Sequence, residues 1–141
     1  MKDVIIVSGG NIQRDFALDF LKKNKTEKVA LIAADRGVEF FKGTDWQPEI
    51  AVGDFDSLSA EGELYLQGLM ETEIVRLKPE KDDSDTQSAV NFAIDHGAER
   101  ITILGATGNR IDHLMANFGL LVHGRNRGAD IILVDQWNYM K

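Results

Sequence analysis

The sequence contains no cysteine, so a disulfide framework and catalysis by a thiolate are both excluded. No hydrophobic run approaches the roughly 20 residues that cross a bilayer. The apolar run near the N-terminus, VIIV at 4–7, is too short for a typical signal-peptide core and follows an acidic residue, Asp3. These absences are consistent with a cytoplasmic protein that has no membrane partner.

Positive charge is also scarce: 16 Lys and Arg stand against 23 Asp and Glu, for a net charge of −7. This balance argues against a protein whose main partner is the backbone of a nucleic acid. A polyphosphate substrate remains compatible with it, because such a substrate arrives with a divalent cation and acidic groups are the usual anchors for Mg²⁺. The composition therefore allows nucleotide chemistry but disfavours binding of a bare anion.

Repeats, low-complexity segments and linkers rich in Pro, Gly or Ser are absent, and 141 residues suit one domain with a real core. Short β-branched runs alternate with longer amphipathic ones along the whole chain. Strands are predicted at 3–8, 28–33, 49–53, 73–77, 100–105 and 129–135, and helices near 12–23, 36–42, 59–69, 84–96 and 111–123.

This alternation predicts an α/β fold with three layers, α/β/α, around a doubly wound, mainly parallel sheet of about six strands. Near-continuous apolar strands are typical of a sheet that is covered on both faces. Sheets of this type bind ligands at the carboxyl ends of their strands. Glycines, carboxylates and cations follow the first five predicted strands, at 8–11, 34–37, 54–57, 78–85 and 105–110. The connections at the opposite edge, KNKTEK and HGAER, are ordinary polar turns.

The third predicted strand ends in two aspartates one residue apart, Asp54 and Asp56, followed by Ser57. In an extended chain, side chains two residues apart point to the same face, so the carboxylates would converge on one point. Their repulsion would then need a cation or a raised pKa. Turn chemistry with a helix N-cap also explains Asp-x-Asp-Ser, and taken alone it is the commoner explanation.

A second acidic segment, KDDSD at 81–85, stands beside a predicted helix start. Capping and the helix dipole account for one acid there, but three are harder to explain in this way. If the segment faces Asp54 and Asp56, four carboxylates would share a site suited to Mg²⁺ on substrate phosphates. No His or Cys lies near it in sequence, which disfavours zinc. Solvated caps and a metal site both remain open.

Two glycine segments, SGG at 8–10 and GATGNR at 105–110, would present backbone amides to a phosphate. Arg110 would then stabilise charge on a transferring group. Tight turns between strand and helix have the same composition, so each signal is weak alone. His113, at the start of the last long helix, is by default a packing or capping residue, and Asn117 shares its helix face.

Taken together, GDFDS at 53–57, KDDSD at 81–85 and GATGNRIDHLMAN at 105–117 resemble the nucleotide-binding catalytic domain of the thiamine pyrophosphokinase family. The order and spacing of the three motifs match, and ADRG at 34–37 and SGG at 8–10 fall where the family's loops would. The resemblance covers essentially the whole chain, residues 1–141.

The resemblance implies Mg²⁺-dependent transfer of an intact diphosphate from ATP to the hydroxyl of thiamine, with AMP and thiamine diphosphate as products. It implies metal ligation by Asp54, Asp56 and Asp85. The residues with a catalytic role would be Asp54, Asp56, Asp82, Asp85 and Arg110, with Asp85 or Asp82 aligning or deprotonating the thiamine hydroxyl. The residues that contact ATP would be Gly9, Gly10, Asp35, Arg36, Ser57, Lys81, Ser84, Gly105, Thr107, Gly108, Arg110, Asp112, His113 and Asn117.

Members of the family carry a second, all-β domain, absent from this chain, that helps to form the thiamine pocket at a homodimer interface. We therefore expect the chain to act as the catalytic domain of a homodimeric enzyme. Two alternatives stay open: another Mg²⁺-dependent phosphoryl or nucleotidyl transferase on the same domain, and a non-catalytic nucleotide-binding module.

Overall fold

A computed structural model describes residues 2–10, 12–56, 58–76, 85–106, 111–136 and 139–140 of the chain. At residues 85, 111–118 and 139–140 it describes the backbone alone. The strands are β1 (Asp3–Val7), β2 (Val29–Ala34), β3 (Ile50–Gly53), β4 (Glu73–Arg76), β5 (Arg100–Leu104), β6 (Asp130–Val134) and β7 (Tyr139–Met140). The helices are α1 (Arg14–Asn24), a 3-10 helix (Asp35–Phe41), α2 (Ala60–Gln67), α3 (Asp85–Asp95) and α4 (Ile111–Asn126).

All seven strands form one sheet, in the order β4-β3-β2-β1-β5-β6-β7. The strands β1 to β6 pair in parallel, in agreement with the prediction of about six mainly parallel strands. The short antiparallel strand β7, paired with β6, was not predicted, because two residues are too few to leave a periodic pattern. The helix expected near 36–42 is a 3-10 helix.

Both faces of the sheet are covered, which explains why the strands are almost wholly apolar. In β1, Val4 and Ile6 point into one core and Ile5 and Val7 into the other, and all four are at most 3% exposed. Residues of α3 and α4 pack into the first core, and residues of α1, the 3-10 helix and α2 into the second. The three-layer α/β/α architecture follows from this division.

The strand order reverses at β1, which lies between β2 and β5. In doubly wound sheets such a reversal opens a crevice at the carboxyl ends of the strands, where ligands bind. In the part of the chain that the structure describes, no helix is both long enough and apolar enough to span a membrane.

Candidate active site

The loops that follow β5 and β1 touch each other at the carboxyl edge of the sheet. A Cβ atom added to Gly10 would lie 2.2 Å from the carbonyl oxygen of Gly105. A Cβ added to Gly105, whose φ is +79°, would lie 2.6 Å from the carbonyl oxygen of Ser8. Only glycine fits this contact, so the two segments predicted to bind phosphate lie side by side at the switch in strand order.

The 3-10 helix that directly follows β2 continues this edge. A Cβ on Gly9 would lie 2.7 Å from the Cβ of Arg36, so the arginine packs directly against the loop after β1. Its side chain is 58% exposed. Arg36 therefore offers a cation beside the glycine segment, and the nucleotide contact that the resemblance implies for it stays a prediction.

The loop after β3 is fixed by the residue that begins the 3-10 helix. Asp35 is 2% exposed, and its Oδ1 atom accepts a hydrogen bond from the backbone N–H of Phe55 at 2.8 Å. Phe55, only 4% exposed, lies between the two site aspartates in sequence. Asp35 thus holds the turn that presents Asp54 and Asp56, a supporting role in addition to the nucleotide contact predicted for it.

Three carboxylates meet at this point. Asp35, Asp54 and Asp56 each offer one carboxylate oxygen, and these oxygens all lie within 4.8 Å of one another. Two oxygens on one Mg²⁺ are at most about 4.2 Å apart, twice the metal–ligand distance of about 2.1 Å. The cluster is therefore compact enough for a hydrated Mg²⁺ held directly by some carboxylates and through water by others.

The crowding of the three carboxylates changes the pKa of Asp56. A hydrogen bond with the Asp54 side chain, and repulsion from the charges of Asp54 and Asp35, raise the pKa of Asp56 above its ordinary value of 3.8. Burial contributes less to the shift than either effect of Asp54. A cation placed among the three groups would remove the repulsion, and the cluster has the composition of a Mg²⁺ site.

The alternative interpretation assigned Asp54 and Asp56 to a turn with a helix N-cap, and the structure confirms the turn but not the cap. The backbone N–H of Asp56 donates to Asp54 Oδ1 at 3.2 Å, as in an aspartate turn. The N-cap of α2 is Ser59, whose Oγ accepts from the N–H of Gly62 at 3.0 Å. Neither aspartate caps the helix.

A buried pair of hydroxyls joins the start of α3 to the same edge. Ser8 Oγ, at the end of β1, lies 2.6 Å from Oγ1 of Thr86, and both residues are less than 9% exposed. Thr86 is the second residue of α3, so the bond places the helix start, and with it the backbone of Asp85, beside β1. The second acidic segment therefore ends at the carboxyl edge that carries the first.

Four neighbours of the site were missed from the sequence: Glu39, Ser59, Arg76 and Thr86. The guanidinium of Arg76 lies 5.4 Å from the ring centroid of Phe55 and 3.4 Å from Glu63 Oε1. A serine directly before a predicted helix was a usable signal for Ser59. Nothing in the sequence pattern marks Arg76 or Thr86, because each acts through a tertiary contact, and Glu39 is marked only by its three-residue spacing from Arg36.

The remaining predicted residues divide into two groups. The backbone places Asp85 at the start of α3, and Asp112, His113 and Asn117 in the first half of α4, with side chains outside the described part. Outside the described residues altogether lie Ser57, Lys81, Asp82, Ser84, Thr107, Gly108 and Arg110.

Comparison with known proteins identifies the family of the chain. Residues 21–133 match the family described as thiamin pyrophosphokinase, catalytic domain. The chain belongs to the thiamin pyrophosphokinase family. It is 30% identical over 143 aligned positions to thiamine pyrophosphokinase of Bacillus subtilis, an alignment that covers 100% of this chain and 64% of that protein.

Solved structures of the thiamin pyrophosphokinase family share the fold. The crystal structure of the Bacillus subtilis enzyme superimposes with a TM-score of 0.79 at 28% identity, covering 96% of this chain and 61% of that one. The Geobacillus thermodenitrificans structure gives a TM-score of 0.76 at 31% identity, covering 94% and 59%. The α/β fold predicted from the sequence is confirmed, and the chain spans less than two thirds of these relatives.

Proposed function

We propose that this chain is the catalytic domain of a thiamin pyrophosphokinase, which transfers a diphosphate group from ATP to the hydroxyl of thiamine and releases AMP. The observation that carries the proposal is the convergence of Asp35, Asp54 and Asp56 at the carboxyl edge of a sheet of this family. A cluster of carboxylates repels a bare polyphosphate and attracts one that is bound to a divalent cation. The catalytic-domain match and the family's name support thiamine as the acceptor.

The residues present fit Mg²⁺. Asp54 and Asp56 would hold the ion together with Asp85. The carboxylate of Asp35 lies in one cluster with those of Asp54 and Asp56. A bound Mg²⁺ would neutralise phosphate charge and so ease attack by an alcohol.

The chain's own groups would orient the nucleotide. Gly9 and Gly10 are exposed, and backbone N–H groups in such a loop would donate hydrogen bonds to phosphate oxygens, while Gly105 packs against the same loop. Arg36 adds a positive charge beside them, and Arg110 is proposed to stabilise the leaving AMP. Asp82 or Asp85 would align or deprotonate the thiamine hydroxyl. Positioning and electrostatics suffice for such a transfer, without a covalent enzyme intermediate.

We also propose that the nucleotide and thiamine are bound by different domains of the enzyme. The thiamine pocket would need the all-β domain that the family carries, at a homodimer interface, whereas the nucleotide site is built from loops of the sheet described above. The chain would then bind Mg²⁺ and ATP on its own. We expect the enzyme to work in the cytoplasm, with no nucleic-acid or membrane partner.

The test is a calorimetric titration of the chain with ATP, in the presence of Mg²⁺ and in its absence. We expect Mg²⁺-dependent binding that is lost in Asp54→Asn and retained in Asp19→Asn. Asp19 is a matched control because it carries the same charge on α1, where its exposed carboxylate pairs with Lys23 at 2.9 Å. Binding that is independent of Mg²⁺, or equal in the two variants, would contradict the proposed site.

Product analysis separates the proposed reaction from its closest rival. With thiamine and the family's all-β domain present, formation of AMP together with thiamine diphosphate supports diphosphate transfer, whereas ADP would indicate an ordinary kinase on the same domain.

A further inference from the structure

Arg36 stands between the two loops that the proposed function requires. Its Cβ packs against Gly9 of the loop after β1, and it directly follows Asp35, which holds the acidic loop after β3. A cation at this position would face a phosphate bound at the loop after β1. Because an exposed arginine has many rotamers, its usefulness for binding depends on what restrains it.

Glu39 supplies a restraint. Its Oε2 atom lies 3.7 Å from Nε of Arg36, one turn earlier in the 3-10 helix. The carboxylate is itself held, because its Oε1 atom accepts a hydrogen bond from the hydroxyl of Ser59. The glutamate side chain is 26% exposed, less than half the exposure of the arginine. Arg36 is therefore paired with an anchored group.

The anchor belongs to the acidic loop. Ser59 is the N-cap of α2 and closes the segment that begins with Asp54. A Cβ on Gly62, in the first turn of α2, would lie 2.5 Å from Glu39 Oε1, so the carboxylate packs closely on the helix start. One side chain thus connects Arg36 of the 3-10 helix to Ser59, at the end of the segment after β3.

The pairing through Nε has a chemical consequence. A guanidinium carries five N–H donors, and four of them belong to the two terminal nitrogens. An acid beside Nε leaves those terminal groups for a phosphate, which they can bind with two parallel hydrogen bonds.

We propose that Glu39 is a positioning residue for Mg²⁺·ATP: it holds the guanidinium of Arg36 beside Gly9, and it fixes that arginine relative to the loop of Asp54 and Asp56. The inference rests on the proposed function and extends it to a residue that does not itself touch nucleotide. Glu39 also brings a negative charge near the phosphates, which opposes binding. The orientation of Arg36 outweighs this repulsion, and the two effects predict opposite results when the charge is removed.

The experiment measures the dissociation constant of Mg²⁺·ATP for the wild-type chain and for Glu39→Gln, Glu39→Asp, Arg36→Gln and the double variant Glu39→Gln/Arg36→Gln. We expect Glu39→Gln to weaken binding about threefold and Arg36→Gln about tenfold. The double variant should bind at least as tightly as Arg36→Gln, because without the arginine Glu39 contributes only its repulsion of phosphate. Glu39→Asp keeps the charge but shortens the side chain, so it should also weaken binding. This variant therefore distinguishes the effect of the position of the carboxylate from the effect of its charge.

The matched control is Glu61→Gln. Glu61 lies in the first turn of α2, is 82% exposed and pairs with Lys42 at 2.8 Å, so its substitution removes the same charge from the same helix start. We expect its affinity for Mg²⁺·ATP to be unchanged. Thermal unfolding of each variant identifies any variant that is not folded. If Glu39→Gln does not fold, Glu39→Asp provides the test.

Three results would overturn the positioning role: tighter or unchanged binding by folded Glu39→Gln or Glu39→Asp, an equal effect of Glu61→Gln, or additive losses in the double variant. Each of these leaves the proposed function standing, since the wild-type chain still binds. A wild-type chain that does not bind Mg²⁺·ATP would overturn both proposals together.

Discussion

Asp35 and Phe55, twenty residues apart, hold each other in a backbone conformation that neither residue adopts readily. Asp35 Oδ1 accepts the N–H of Phe55 at 2.8 Å, and the φ angles of the two residues are +48° and +62°. Aspartate visits the left-handed region occasionally, but a bulky residue such as Phe is an outlier there. The strain lies between Asp54 and Asp56, and the burial of Phe55 together with the Asp35 bond keeps the two carboxylates turned toward one site.

The first prediction concerns that hydrogen bond. Asp35→Ala should lower the free energy of unfolding by about 2 kcal/mol, because it removes the acceptor of a buried N–H. Asp35→Asn should cost clearly less, since Asn keeps an acceptor oxygen and tolerates a positive φ. Urea unfolding followed by tryptophan fluorescence measures both, and equal losses would show that the bond to Phe55 is not what Asp35 contributes.

The second prediction concerns Asp56 and pH. Because the native pKa is raised, mainly by the hydrogen bond with Asp54 and by its charge, the native state binds this proton more tightly than the unfolded chain does. Stability from this group therefore falls as the pH rises from about the ordinary value of 3.8 through the raised native value, and repulsion persists at neutral pH.

Without metal at pH 7, Asp56→Asn should unfold at a higher temperature than the wild type, and the difference should vanish below the ordinary pKa. Mg²⁺ should raise the melting temperature of the wild type and have little effect on the variant. Scanning calorimetry at several pH values, with EDTA or with Mg²⁺, measures both. A variant that is less stable than the wild type at pH 7 without metal would be inconsistent with this account.

The third prediction concerns the buried bond between Ser8 and Thr86. Thr86→Val preserves the shape but leaves the serine hydroxyl without this partner, at a cost of about 1–2 kcal/mol. Adding Ser8→Ala should recover part of that loss, because the unpaired polar group is then removed as well. Chemical unfolding of the two single variants and the double variant gives the coupling free energy, and strictly additive losses would exclude a coupled pair.

The fourth prediction concerns the contact between the loops after β1 and β5. Gly10→Ala should lower the free energy of unfolding by about 1–3 kcal/mol, because the new Cβ would overlap the carbonyl oxygen of Gly105. The control is Gly119→Ala, in α4, where a Cβ meets nothing within 4 Å and the higher helix propensity of Ala should add about 0.5–1 kcal/mol. Similar changes in the two variants would mean that the loops do not meet as closely as described.

Much of the site could be located from the order of residues along the chain. Asp54, Arg36 and Gly10 each follow a predicted strand, and parallel pairing brings such positions to one edge whatever their distance in sequence. The residues that orient them could not be located in this way. Glu39 and Thr86 resemble ordinary helix residues, and their roles depend on the side chain that each one meets across the fold.

The sequence by itself determined the class of the fold and the edge of the sheet at which the proposed site lies. When apolar strands alternate with amphipathic helices, few folds other than a parallel sheet covered on both faces can bury all the apolar residues. The motifs identify the family. Only the tertiary structure decided that Asp35 joins Asp54 and Asp56, that Ser59 and neither aspartate caps α2, and that Ser59 anchors Glu39. The contacts of Asp35 with the acidic loop and of Glu39 with Ser59 depend on distances between segments that follow different strands, which are set by packing and have no periodic trace in the chain.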